Sequence, residues 1–393
     1  MTPPRRSGGA GRRHRARKAR GASAVGRRFE VEVGPIAHGG HCVARVSTGA
    51  AAESLVVFVR HALPGEQVVV EVTEGTEGDK FWRGDAVEVI RPSPDRVAAP
   101  CAFAGPGRCG GCDFQHVELA AQRRLKAAVV REQLRRLAGL DVDLEVEHVP
   151  NPLVEVVAQQ PSPDQGLRWR TRQRYLTLPD GRRGMRKHRS HDVIAVDECL
   201  LEAPRGPSYD VRGRSFEVAD RGFWQVHPGA PETLVDAVLE ALRPQPGESA
   251  LDLYAGVGLF SRFLLEAVGP EGRVAAVEGD PTASALSERN CPRLQATAGD
   301  VAAVLREGLD PVWDAADLVV LDPPRAGAKR GVVEQVVARS PRAVAYVACD
   351  PAALARDVAI FAENGYSLST LRAFDLFPMT HHVECVALLE KRR

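Results

Sequence analysis

The second half of the chain alternates short, near-continuously apolar runs with helical stretches, and this alternation constrains the fold more than any other feature. From about residue 216 the apolar runs are ALDLYAG, RVAAVEGD, LQATAGD, LVVLDPPR and AVAYVACD. Between and after them stand SRFLLEAVG, TASALSERN, VAAVLREG, GVVEQVVARS and AALARDVAIFAENG. Strands that are apolar on both faces belong in a parallel sheet covered by helices on both sides, so residues 216–393 are expected to form an α/β domain. Two further runs, LSTLRAFDLFP and ECVALLEKR, have no helix between them and are expected to pair as an antiparallel hairpin at the sheet edge.

The first half reads differently. At 393 residues the chain is long enough for two or three domains. Residues 28–92 hold short alternating stretches, RFEVEVGPIAHGGHCVARV, SLVVFVRHALPGEQVVVEVTE and FWRGDAVEVI, broken by Gly and Pro. They predict a small β-barrel of the oligonucleotide-binding type. Residues 93–215 predict a small α+β domain with a cysteine cluster and one clear helix, LAAQRRLKAAVVREQLRRLAGL. In the same segment, RWRTRQRYLTL and GRRGMRKHRSHDVIAV interleave arginines with Trp169 and Tyr175, a composition suited to stacking bases and gripping phosphates.

Net charge is +1, but ten of the 52 Lys and Arg fall in residues 1–28, which contain no acid. Residues 1–27 are expected to be a disordered basic tail with affinity for a polyanion. The tail has no apolar core of the secretory kind, and no run approaches the roughly 18 apolar residues of a membrane helix. A cytoplasmic protein is expected, in which clustered cysteines serve as metal ligands or catalysts rather than disulfides.

Three acids stand at strand ends, where α/β sheets bind ligands: Asp252 beside Gly256 and Gly258, Glu278, and Asp322 in LVVLDPPR. GVGLFS lacks the third glycine of a dinucleotide fingerprint, and DPP after the fourth strand is foreign to dehydrogenases, which favours S-adenosylmethionine over a nicotinamide. Cys101, Cys109 and Cys112 have a C-x7-C-x2-C spacing, with Cys199 as a distant fourth thiol. Four thiolates suit either structural zinc or an iron–sulfur cluster.

Cys349 ends the fifth strand and Glu384 opens the last one, so both are expected on one rim of the sheet. Methylation of uracil at C5 requires such a pair. A thiolate added at C6 makes C5 nucleophilic, and a base then removes the C5 proton before the thiol leaves.

Together the motifs resemble the bacterial RNA uracil-5-methyltransferases that carry an N-terminal TRAM barrel and an iron–sulfur cluster. DPPRAG followed by AYVACDPAALARD resembles the nucleophile signature, and FDLFPMTHHVE resembles the signature ending in the base. FWQVHPGAPETLV resembles the opening of the methyltransferase domain, and CGGCDFQH with DECLL resembles the cluster ligands. The resemblance covers about residues 28–393 and implies a Rossmann-like class I methyltransferase domain, with the helix after Cys112 packed on it. It implies Cys349 as nucleophile and Glu384 as base. Gln225, Tyr254, Glu278, Asp300 and Asp322 would surround S-adenosylmethionine, and Cys101, Cys109, Cys112 and Cys199 would hold a [4Fe-4S] cluster. The implied partner is structured RNA, with 23S ribosomal RNA favoured over transfer RNA, and a monomer is expected.

The chain departs from the family pattern at Ala348, Asp350, Ala353, Leu259 and Met379. A carboxylate beside the thiol opposes its ionisation, and Asp350, Ala348 and Leu259 together motivate an alternative reading, an RNA-binding protein with a decayed transfer site. Methylation of cytosine is disfavoured because DPPR contains no cysteine.

Overall fold

The computed structural model describes residues 21–47, 54–155 and 166–392. Of the expected basic tail, residues 1–20 lie outside the described residues. The last residues of that stretch pack on the strand-rich N-terminal part: Ala24 is buried, and Gly26 N–H donates to Val72 O at 2.9 Å.

That part comprises β1 (Arg28–Glu32), β2 (Ile36–Ala37), β3 (His41–Ser47), β4 (Ser54–Arg60), β5 (Gln67–Glu74) and β6 (Phe81–Arg91). These form one six-stranded sheet in the order β1-β5-β6-β4-β3-β2. Alternate residues such as Val57, Val59, Val68 and Val70 turn inward with Trp82, as the period-2 pattern requires.

Helix α1 (Leu119–Ala138) comes after the cysteine loop. Glu118 caps its start by accepting from Ala121 N–H, and Gly139, with φ of 67°, ends it in the left-handed conformation that suits glycine. Its stripes face two ways. Ala121 and Val129 join the core of the N-terminal sheet, whereas Ala127, Val130 and Leu134 join the core of the C-terminal one. Next come β7 (Val146–His148), α2 (Pro152–Glu155), β8 (Leu176–Thr177), β9 (Arg183–Arg186), β10 (Val193–Ala195), β11 (Asp210–Val211) and β12 (Arg214–Ser215). Strands β8 to β10 make a small antiparallel sheet, and β11 pairs with β12.

The remainder is α3 (Ala230–Leu242), β13 (Ser249–Leu253), α4 (Leu259–Val268), β14 (Arg273–Glu278), α5 (Pro281–Asn290) and β15 (Gln295–Ala298). It continues through α6 (Val301–Glu307), β16 (Leu318–Leu321), α7 (Lys329–Ala338), β17 (Ala343–Ala348), α8 (Pro351–Glu363), β18 (Tyr366–Asp375) and β19 (Glu384–Lys391). The sheet order is β15-β14-β13-β16-β17-β19-β18-β7. Strands β13 to β17 are parallel to one another, and β19 is antiparallel to both β17 and β18. Successive strand residues feed two opposite cores, Leu251 and Leu253 on one face and Ala250 on the other, so the sheet is covered on both sides as expected.

One expectation needs correction. The hairpin β18–β19 is not the sheet edge, because β7 pairs with β18 in parallel through Val146–Ala373, Glu147–Phe374 and His148–Asp375. Arg372 reinforces this junction with two bonds of 2.8 Å to the Glu147 carboxylate.

Helix α1 is fastened to the same junction by a buried ion pair, Lys126 Nζ to Asp375 Oδ1 at 2.6 Å, with Phe377 O also accepting from Lys126 at 3.0 Å. Removing one partner of a buried pair leaves the other charge without compensation. Lys126→Ala should therefore lower unfolding stability by about 3–5 kcal/mol in urea titrations. A loss below about 1 kcal/mol would show that Asp375 finds another partner.

Candidate active site

The rim of the sheet begins with a buried acid. Asp252 in β13 accepts through Oδ2 from Ser261 N–H at 2.9 Å and from the Ser261 hydroxyl at 2.6 Å. Its Oδ1 is buried without a partner among the described residues, and burial pushes the carboxyl up to about 6 against the pull of those bonds. Glu278 ends β14 and accepts from Gly256 N–H and Asp280 N–H, each at 2.8 Å. Gly256, at φ of 55°, faces open space where a Cβ would stand, so the turn leaves a cradle beside the two acids. Gly258 is required for packing: a Cβ there would come within 2.8 Å of Cys291 Sγ.

Tyr254 sits half-buried in the left-handed region, at φ of 66°. Burial, then Asp300 and Asp357, push its phenol up to about 12. Asp300 itself caps α6 by accepting from Ala303 N–H at 3.0 Å. Asp322, just after β16, is pushed up to about 7 by burial and by Asp252 and Glu278. Gln225 is half-buried in the loop before α3. That loop is anchored on either side of it by the bond from Trp224 Nε1 to Ser208 O and by the two Thr171 donors to Val226 O. Asp300 acts on Tyr254 and Glu278 acts on Asp322; among the described residues, no hydrogen bond ties Gln225 to either pair.

Cys349 and Glu384 meet through strand register. Ala348 of β17 pairs with Cys385 of β19, so the next residues outward, Cys349 and Glu384, share the same rim. Glu384 is buried, and burial followed by Asp322 holds its carboxyl well above the usual carboxylate range. Burial and then Glu384 push the Cys349 thiol up to about 12. Arg325, in the loop after β16, acts on both groups in the opposite sense. Both groups are pushed toward their neutral forms, with a cation at hand to favour ionisation of either member.

Cys101, Cys109, Cys112 and Cys199 line one small cavity with Arg170, Met185 and Leu201. Gly111 N–H donates to Cys109 Sγ and Gln115 Nε2 to Cys112 Sγ, each at 3.4 Å. Burial pushes Cys112 up to about 12 and raises Cys109 as well. Gly110 lies against the His188 backbone, where a Cβ would approach to 2.6 Å, so the loop fits under the β9–β10 hairpin only with glycine there. Among the described residues, no group of three or more His, Cys, Asp or Glu side chains is arranged to hold a metal ion.

Between the N-terminal sheet, the cysteine loop and the β9–β10 hairpin lies a cavity of about 410 Å³ with an excess of bases. It is lined by Arg60, Arg83, Arg108, Lys187 and Arg189 against Glu74 and Asp85, Glu74 pairing with Arg83 and Arg189. Trp169 does not belong to such a surface. It is buried with Leu201 and Met379 beside Cys112 and Cys199, so its role is packing and the expected stacking role is withdrawn. Tyr175 is half-buried; Arg183 covers its ring at 4.8 Å, and its hydroxyl donates to Glu202 at 2.6 Å.

Comparison with known proteins places this architecture. The TRAM domain model matches residues 22–87, and the tRNA (uracil-5-)-methyltransferase model matches residues 308–392, a span that contains both Cys349 and Glu384. A protein of Streptomyces avermitilis described as an uncharacterized RNA methyltransferase is 44% identical over 93% of this chain and 99% of its own. A counterpart in Streptomyces coelicolor is also 44% identical, over 94% of each chain. The chain belongs to the TRAM-bearing RNA uracil-5-methyltransferase family. The crystal structure of Pyrococcus abyssi tRNA (uracil-54, C5)-methyltransferase, solved with S-adenosyl-L-homocysteine, shares the fold of this methyltransferase with a TM-score of 0.62. It is 21% identical and covers 92% of this chain and 100% of its own.

Several residues of the methyltransferase escape sequence reasoning. Arg325 lies inside DPPRAG, but its reach to Cys349 and Glu384 depends on the fold. Phe223 is 70% exposed two residues before Gln225, and an aromatic ring so close to that residue was a signal available in the sequence. Met379 works through its backbone, with φ of 65° and a carbonyl that accepts from both Asp113 N–H and Phe114 N–H at 3.0 Å. Its side chain serves as an acceptor too, the sulfur taking a bond from Gln122 Nε2 at 3.3 Å. Asp350 caps α8 by accepting from Ala353 N–H at 2.8 Å, and of the four charges acting on Cys349 it weighs least.

In the RNA-free methyltransferase, alkylation of Cys349 should be slow near neutral pH and climb as pH approaches 12. Arg325→Met should slow it further at fixed pH, because the cation that favours the thiolate is gone. Peptide mass spectrometry after iodoacetamide treatment reads both effects; a Cys349 that reacts near neutrality as fast as a free cysteine would contradict the assigned environment.

Proposed function

We propose that this methyltransferase modifies C5 of a uridine in structured RNA, with S-adenosylmethionine as methyl donor and ribosomal RNA as the substrate class. The observation that carries the reading is the Ala348–Cys385 register, which sets a thiol beside a buried carboxylate at the rim. The rim also suits the donor. The cradle at Gly256, the unpartnered Oδ1 of Asp252 and the acids Glu278 and Asp322 offer room, hydrogen-bond acceptors and negative charge. Tyr254 and Asp300 flank the same end of the sheet, and Gln225 would complete the set from the loop before α3.

When bound, S-adenosylmethionine supplies an electrophilic methyl group on a sulfonium. The Cys349 thiol gives up its proton to solvent, and the thiolate adds to C6 of the uracil. The electron pair displaced toward C5 makes that carbon the nucleophile toward the methyl, whose bond to sulfur would break with its electrons left on the sulfur. Arg325 favours the thiolate that this step needs. The Glu384 carboxylate then takes the C5 proton, the C5–C6 double bond re-forms, and the Cys349–C6 bond breaks. A carboxyl held high by burial is a strong base once ionised, and a cation bound near Asp322 and Glu384 lowers the cost of ionising it.

The target base has to leave its stack to reach Cys349. The basic cavity between barrel and hairpin suits the phosphate backbone that flanks such a base, and exposed Phe223 suits stacking on it. For Cys101, Cys109, Cys112 and Cys199 we propose a [4Fe-4S] cluster that supports the loop. What supports it is the chemistry of the donors, four thiols lining one cavity with Cys109 and Cys112 both feeling Cys199, although no three of them are drawn together as a ligand set among the described residues. Iron and sulfide analysis of anaerobically purified protein separates this from zinc. The decayed-site alternative rests on Ala348, Asp350 and Leu259, and of these the Asp350 carboxylate is engaged in capping α8.

With labelled S-adenosylmethionine and RNA from cells lacking the gene, methyl should appear in ribosomal RNA as 5-methyluridine. Label in transfer RNA instead would correct the substrate class, which is also the RNA named by the matched family model. Cys349→Ala should abolish transfer, and Glu384→Gln should slow it by about 10²–10⁴-fold. Transfer persisting in Cys349→Ala would overturn the mechanism.

A further inference from the structure

The cavity that opens onto Cys349 and Asp350 is walled on its far side by the N-terminal barrel, through the turn His38–Gly40 between β2 and β3. This turn touches both catalytic loops. His38 Nε2 lies 3.1 Å from Asp350 Oδ2, while the other oxygen of Asp350 caps α8. Asp350 is thus held from two sides, and Cys349 is the residue immediately before it. Two residues after His38, Gly40 with φ of 77° packs so closely on the loop before Glu384 that a Cβ would lie 2.6 Å from His381 Cβ. His381 is fixed in turn, because its Nδ1 bonds to Asp113 Oδ2 at 2.6 Å and Asp113 pairs with Arg60 of the barrel at 3.4 Å. The contact is specific: it joins residues 312 positions apart in the chain, and it uses Asp350, one of the departures from the family pattern.

We propose that His38 is a positioning residue for methyl transfer: by holding Asp350 while Gly40 seats the His381 loop, the barrel turn sets the nucleophile and the base relative to one another. The barrel is then part of the catalytic pocket, beyond any grip it has on RNA. This rests on the functional reading above for its kinetic arm but not for its structural one. Asp350 lies low in its ordinary range, because burial is outweighed by the bonds from His38 and Ala353, consistent with a carboxylate fixed at both oxygens.

Two readouts in the full-length protein test the proposal. In amide hydrogen exchange without RNA, His38→Ala should speed exchange in the peptide covering residues 349–354, and His38→Gln should restore it, since the Gln amide donates from nearly the position of Nε2. In steady-state methylation, His38→Ala should lower kcat by up to about 10²-fold, the cost of roughly 1 Å of misplacement, with little change in KM for RNA. Gly40→Ala should lower kcat likewise. A rise in KM at unchanged kcat would make His38 an RNA contact and overturn the proposal, as would unchanged exchange in His38→Ala. If the wild-type protein transfers no methyl group, the proposed function fails, and exchange alone decides whether His38 holds the turn.

Discussion

Strand β19 runs antiparallel to β17, so the residue that opens one lies beside the residue that leaves the other. That register brings Glu384, the first residue of β19, beside Cys349, one residue past the end of β17, near the centre of an eight-stranded sheet. Catalytic groups fixed by a sheet ladder lose little freedom on binding substrate, which is where the rate advantage of preorganisation comes from. The parallel strands place the acids at the same rim, because every one of them runs in the same direction and ends there.

The electrostatics of the rim result first from burial and then from neighbouring acids. Burial, reinforced by nearby carboxylates, pushes Asp252 and Asp322 up to about 6 and about 7, and Glu384 higher than usual. Arg325 is the cation that opposes this at the Cys349 end. A site in this state is under-compensated for positive charge and gains from a cationic ligand, whereas the basic cavity between barrel and hairpin gains from an anionic one. The two preferences are spatially separate, one on the sheet rim and one toward the barrel.

The parallel sheet was legible because strands buried on both faces leave unbroken apolar runs, and the candidate nucleophile and base because each sits at the end of such a run. What could not be read depended on partners far away in sequence. The three residues of β7 carry too little pattern to announce that they cap the sheet edge. Asp350 looked like the main liability for the thiol, but it weighs least of the four charges acting on Cys349, and its carboxylate is engaged by Ala353 and by His38, 312 positions away. Trp169 among arginines looked like a stacking surface, because local alternation does not tell whether a ring faces solvent or Leu201 and Met379. Helix α1 read correctly as a helix, but its two-sided burial between the barrel core and the sheet core is a tertiary fact.

Incubating the anaerobically purified protein with S-adenosylmethionine and RNA carrying 5-fluorouridine tests the thiol–carboxylate assignment most directly. Fluorine at C5 gives the base no proton to remove, so the Cys349–C6 bond cannot be released once the methyl has transferred. The account predicts a stable protein–RNA adduct whose proteolytic peptide contains Cys349 joined to a methylated 5-fluorouridine. An adduct on a different cysteine, or none from an RNA that the protein methylates when it carries uridine, would contradict it.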